Sequence, residues 1–127
     1  MTRFDLHIHT ALSACAEDVM SPRQIILRAK EAGLNIIAIT DHNASANVAS
    51  AMTIGRESGI NVIPAVEVST LEEVHILAFF KSLELLQDFQ EVIDRSLPPG
   101  ENIPEVSGNQ LIYDSSDEIV DIDERIR

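Results

Sequence analysis

Arg3-Phe4-Asp5-Leu6-His7-Ile8-His9 sets the reading of the rest of the chain. Phe4, Leu6 and Ile8 alternate with Asp5, His7 and His9, the two-residue period of a strand that keeps apolar groups on one face and polar groups on the other. Two imidazoles therefore leave the same face of one strand. An irregular stretch follows, and then Ser21-Pro22-Arg23-Gln24 reads as a helix start, with Ser21 as N-cap, Pro22 at the first helical position and Gln24 able to close a capping box. Ile25, Ile26, Ala29 and Ala32 continue at helical spacing, and Gly33 supplies the left-handed stop.

Leu34 to Ile39 is a short, nearly continuous apolar run, the pattern of a strand covered on both faces, and Thr40-Asp41-His42-Asn43 stands at its end. A second helix, about Ser45 to Ser58, closes on Gly59, and Ile60 to Val66 forms another buried strand ending at Glu67. Strand, helix, strand, helix, strand implies parallel strands joined by helical crossovers, in an open sheet or a barrel. Too few residues separate Glu67 from the apolar run at Val74 for a further crossover, so these strands pair as an antiparallel hairpin that brings His75 near Glu67. A third helix spans about Ser82 to Arg95, and Gln110–Tyr113 and Glu118–Ile122 flank Ser115-Ser116 as an acidic hairpin.

The 127 residues suffice for one domain, and 45% hydrophobic with 24% charged residues is ordinary for a folded globular chain. We expect residues 1–80 to form its core and 81–127 to add a helix and the acidic hairpin to the same domain. No apolar run is long enough to span a bilayer and the first residues do not resemble a signal peptide, so no membrane is expected and the cytoplasm is the expected compartment. The formal charge of -12 disfavours phosphate backbones as partners. Residues 1–80 carry 9 acidic and 5 basic side chains with all 4 histidines, whereas 81–127 carry 12 acidic and 4 basic with none. Chemistry is therefore expected in the first part. The one cysteine, Cys15, excludes an internal disulfide and a thiolate-only zinc site, so any metal must be held by His and carboxylates.

Parallel α/β folds gather ligands at the carboxyl ends of their strands. Each histidine here falls at such an end or across a hairpin from one: His7 and His9 on the first strand, Asp41 and His42 after the second, Glu67 ending the third and His75 facing it. Singly, each has an ordinary alternative. Asp41 could N-cap the next helix, His42 could be a hydrogen-bonded loop residue, and Glu67 could be a solvated strand end. Together they suggest a multinuclear site for Zn, Mn or Fe, in which Glu67 can serve two ions. Cys15, Glu17 and Asp18 are weaker candidates, since a single thiol and acidic loop residues commonly serve no metal.

Asp5-Leu6-His7-Ile8-His9-Thr10, Ile37-Ala38-Ile39-Thr40-Asp41-His42-Asn43, Val66-Glu67-Val68-Ser69 and Val74-His75-Ile76-Leu77 resemble, in order and spacing, the first three motif blocks of the polymerase and histidinol phosphatase (PHP) superfamily. Leu12–Asp18 and Gly108-Asn109-Gln110-Leu111-Ile112 further resemble a stand-alone bacterial and archaeal subgroup. The resemblance implies a partial, distorted TIM-like (β/α)7 barrel with two or three divalent ions. By position, His7, His9 and Glu67 would hold the first, Glu67 and His75 the second, and His42 a third, with Asp41 orienting or ligating. Two departures stand out: Ala14 occupies a position that is acidic in many members, and the later histidine-bearing blocks have no counterpart after His75. The chain thus resembles the first half of a barrel.

We accordingly expect a metal-dependent phosphoesterase acting on a small phosphomonoester or nucleotide, truncated and of uncertain activity alone. The alternative is a non-catalytic metal-binding or scaffold domain acting through oligomerisation or a complementing chain. A module serving a DNA polymerase is disfavoured by the charge.

Overall fold

In the computed structural model, which describes residues 1–127, β1 (Phe4–Ile8), α1 (Pro22–Glu31), β2 (Ile36–Ile39), α2 (Val48–Ser58) and β3 (Asn61–Ser69) alternate along the chain. They are followed by β4 (His75–Phe79), α3 (Leu83–Ser96), the one-turn α4 (Pro104–Ser107), β5 (Leu111–Tyr113) and β6 (Ile119–Ile122). β1, β2 and β3 are parallel neighbours, β4 runs antiparallel to β3, and the four strands curl in sequence order into half of a TIM-like barrel. The expected hairpin of β5 and β6 also forms.

Local chemistry explains most boundaries. Ser21 accepts the Gln24 N–H at 3.3 Å and Pro22 occupies the first turn of α1, which buries Ile25, Ile26 and Ala29. Only the Ser21 half of the expected capping box is present. On β2 and β3, Ile37, Ile39, Val62 and Val66 join these helical residues in the main apolar cluster, each worth about 1.5–3 kcal/mol of transfer free energy when fully buried. Gly55 allows α2 to lie close on β3, because a Cβ there would meet the Ile60 carbonyl oxygen and Val62 Cγ2 at 2.7 Å. Ser82 caps α3 by accepting the Leu85 N–H at 3.4 Å.

Three boundaries differ from the sequence expectation. α2 begins at Val48 rather than near Ser45, because Ser45 donates to Gln90 Oε1 at 2.8 Å and the Asn47 side chain bonds elsewhere, so neither caps the helix. β2 is shortened to Ile36–Ile39, and β3 runs past Glu67 to Ser69, where the Ser69–His75 pair closes the β4 ladder. The last residues are tied down: Arg127 pairs with Asp94 and Asp123, and Arg125 donates to the Leu97 carbonyl at 2.9 Å. The β5–β6 turn is docked as well, since the Asp117 carboxylate takes the Ser21 hydroxyl at 2.8 Å and the Arg23 N–H at 3.1 Å, beside the positive end of α1. No helix is long and apolar enough to cross a membrane.

Candidate metal centre

Strand ends carry the polar side chains to one place. His7 is the fourth residue of β1 and His9 follows the strand, two positions on and therefore on the same face. Beyond β2, His42 forms a parallel bridge with Glu67, in which the Glu67 N–H donates to the Asp41 carbonyl at 3.1 Å and the Asn43 N–H to the Glu67 carbonyl at 2.8 Å. This extension of the ladder sets His42 beside Glu67. Across the β3–β4 hairpin His75 pairs with Ser69, and it reaches Glu67 diagonally.

The Glu67 carboxylate is the hub. Its Oε2 lies 2.7 Å from His9 Nε2, 3.1 Å from His7 Nε2 and 3.6 Å from His42 Nδ1, while Oε1 lies 3.0 Å from His75 Nδ1. Glu67 is 3% exposed, yet His7 and His75 keep 54% and 53% of their side-chain surface, so the cluster opens to solvent at the two outer strands. Three overlapping groups can each offer ligand atoms within 4.8 Å of one another: His7, His9 and Glu67; His42, Glu67 and His75; and His9, Cys15 and His42. Imidazole nitrogen and carboxylate oxygen are donors that Zn, Mn and Fe accept, and one carboxylate with its two oxygens turned toward different histidines is suited to link two ions. The donor set fits divalent metal.

Electrostatics agree with that use. Burial works to raise the Glu67 carboxyl, but hydrogen bonds from His7, His75 and His9 together with the field of His42 overcome it and hold the group below its ordinary range. His42 is depressed, first by burial and then by the neighbouring His9, so it is neutral with a free lone pair at neutral pH. Cys15 lies 3.2 Å from His9 Nδ1, but desolvation raises its thiol, which disfavours the thiolate.

The remaining sequence candidates are placed differently. Asp41 is completely buried behind the cluster, where Oδ1 accepts the Thr10 N–H and the Ser13 hydroxyl and Oδ2 accepts the Thr10 hydroxyl, each at 2.7 Å. Burial raises its carboxyl against these three donors. No histidine nitrogen bonds to it. Asp18 turns to Asn109 at 3.0 Å, and neither Asp18 nor Glu17 is among the converging groups. Sequence reasoning missed Thr10, Ser13 and Asn47, hydroxyl and carboxamide side chains that are buried around Asp41. The available signal was the density of small polar residues around the two histidine motifs.

Because folding depresses His42, its contribution to stability is complete above its ordinary value of 6.5 and is lost as pH falls through the lower folded value. Between about pH 7.5 and about pH 5.5, metal-free protein should therefore lose stability relative to His42→Asn, which does not titrate. Thermal unfolding of both proteins in chelator checks the sign, and parallel curves would refute it.

A profile of the PHP domain matches residues 5–121. The chain is 36% identical over 78 residues to a 5'-3' exoribonuclease of Haemophilus influenzae, covering 59% of this chain and 27% of that protein. It is 30% identical over 78 residues to a phosphoribosyl 1,2-cyclic phosphate 1,2-diphosphodiesterase of Eggerthella lenta, covering 58% of this chain and 29% of the relative. Among solved structures, a Bifidobacterium adolescentis protein assigned as a metal-dependent phosphoesterase superposes with a TM-score of 0.55 at 25% identity, over 78% of this chain and 41% of the other. The match spans about a quarter of the length of the exoribonuclease relatives.

Proposed function

The chain belongs to the PHP domain family, and we propose that it is a metal-dependent phosphoesterase whose centre is organised on Glu67. The observation that carries this reading is one buried carboxylate contacted by three histidines, with a fourth at 3.6 Å. His7, His9 and Glu67 would hold a first divalent ion, Glu67 and His75 a second, and His42 a third. Zn, Mn and Fe all suit these donors. Bound there, the ions supply Lewis acidity toward a phosphoryl oxygen and make water acidic enough to act as a nucleophile near neutral pH.

The protein's own residues do the rest. The neutral His42 ring presents a lone pair without first releasing a proton. The Glu67 charge is retained in a buried place by its histidine partners. Asp41 is taken up by Thr10 and Ser13, which suits an orienting role better than proton transfer to substrate. The half-exposed His7 and His75 leave the site open to a small phosphate ester, and the charge of -12 works against long polyanions. The exoribonuclease and diphosphodiesterase relatives both cleave phosphate esters, which supports the reaction class. β1 and β4 are the outer strands of the sheet, and a second copy or another chain pairing along either would cover a ligand histidine.

The test is metal content by mass spectrometry, with turnover of a small phosphomonoester, a small phosphodiester and a 5'-phosphorylated oligoribonucleotide on the same samples. We expect bound divalent metal and turnover of a small ester that needs it, lowered about 100-fold or more in His7→Ala, the scale of several kcal/mol that metal ions contribute to such reactions. Bound metal with no turnover of any ester would replace this reading with that of a metal-binding module.

A further inference from the structure

Asn47 stands at the N-cap of α2, a position where an Asn side chain ordinarily accepts an N–H of its own helix. It makes no such bond. Its φ of -85° and ψ of -5° are helical, and its fully buried carboxamide is turned across the molecule. Nδ2 donates both to Thr10 Oγ1 and to the Leu111 carbonyl at 2.9 Å, and Oδ1 accepts the Tyr113 N–H at 2.8 Å. One side chain thus joins α2, the residue after His9 and the backbone of β5.

The connection continues to the centre. Thr10 Oγ1 donates to Asp41 Oδ2 at 2.7 Å, Ser13 donates to Asp41 Oδ1 at 2.7 Å, and Ser13 Oγ accepts the His42 N–H at 3.0 Å. Thr10 Oγ1 also receives the Leu12 N–H at 3.1 Å, so its two lone pairs are filled and its single proton is committed to Asp41. The directions of the hydrogen bonds follow from this count. Reversing any one leaves a buried group unpaired, which makes the arrangement rigid.

We propose that Asn47 is a positioning residue of the metal centre: through Thr10, Asp41 and Ser13 it fixes the backbone that carries His9 and His42, and it makes the β5–β6 hairpin part of the site. This rests on the reading of the Glu67 cluster as a metal site. The forfeited helix cap is the strongest argument, since the residue gives up a local bond for three distant ones. Tyr113 and Leu111 supply those distant partners, and Ser50 donates to the Tyr113 carbonyl at 2.7 Å beside them. The acidic hairpin therefore acts as a clamp on the loop between β1 and α1.

The test is titration of the metal-free 127-residue chain with Co(II), read by its visible absorption bands, and with Zn against a chromogenic chelator. Asn47→Ala removes all three bonds. Asn47→Asp keeps the shape and the acceptor for Tyr113 but puts an oxygen where Thr10 and Leu111 need a donor. Both should bind about 10- to 100-fold more weakly, the usual effect of losing a partner that orients ligands, with displaced Co(II) bands. Ile54→Ala, in the apolar cluster, should lower the melting temperature while leaving affinity and bands unchanged. In metal-free protein, the His9 and His42 ring resonances should move in Asn47→Asp and stay in Ile54→Ala. Wild-type affinity, bands and resonances in folded Asn47→Asp would overturn the positioning role alone. Failure of the wild type to take up either metal would overturn this role and the metal reading together.

Discussion

Glu67→Gln is expected to empty the metal centre while leaving the fold in place. The substitution keeps the volume and removes the charge that His7, His9, His42 and His75 surround. Its amide nitrogen would face imidazole nitrogens on one side, and its single oxygen could no longer serve both sets of histidines. Metal affinity should fall by more than about 100-fold, beyond what loss of an orienting partner costs. The fold should persist because backbone bonds, not the carboxylate, tie Glu67 into the ladder: its N–H to the Asp41 carbonyl and its carbonyl to the Asn43 N–H.

The same substitution has a signature in acid. Histidine partners depress the Glu67 carboxyl, so its contribution to stability is present above its ordinary value of 4.5 and is lost as pH falls through the lower folded value. Metal-free Glu67→Gln should lack that loss. Metal content by mass spectrometry, with unfolding curves in chelator at several acid pH values, checks both statements. Wild-type metal content in the variant would refute the assignment of Glu67 as hub.

The elements that could be read from sequence are those whose cause is local. Ser21-Pro22 starts α1 by capping, Gly59 ends α2 in a left-handed conformation at φ 77°, and the alternation over Phe4–His9 places two imidazoles on one face. The convergence of His7, His9, His42 and His75 on Glu67 was legible for the same reason, since each lies at or opposite a strand end and strand ends of parallel sheets converge. Where tertiary bonds compete with local ones, the reading slipped. Ser45, where the second helix is expected to begin, is spent on Gln90, and α2 starts later, at Val48. Arg127 gave no signal of its contact with Asp94, which lies 33 residues away on α3 and meets it only in the folded chain, whereas Asp123 is a local partner four residues before it.

Asp41 shows where sequence leaves a role open. A carboxylate next to His42 can be a ligand, a proton carrier or a support, and the hydrogen bonds favour the last. Asp41→Ala would strand the Thr10 N–H and the hydroxyls of Thr10 and Ser13 in a place with no solvent. Each unpaired buried donor costs about 1–3 kcal/mol, and hydroxyls recover part of this by turning, so a total of about 3–5 kcal/mol is expected. That is a large share of the roughly 5–15 kcal/mol by which domains are stable. Asp41→Asn should cost less, about 1–3 kcal/mol. Its oxygen can still take the Thr10 N–H and the Ser13 hydroxyl, but its amide would confront Thr10 Oγ1, already an acceptor for Asn47 and Leu12. Denaturant unfolding of metal-free protein measures both. A residue that merely supports the site should lose stability in the order Ala worse than Asn before any metal is added. If metal-free Asp41→Asn is as stable as wild type and loses only turnover, Asp41 acts on the substrate instead.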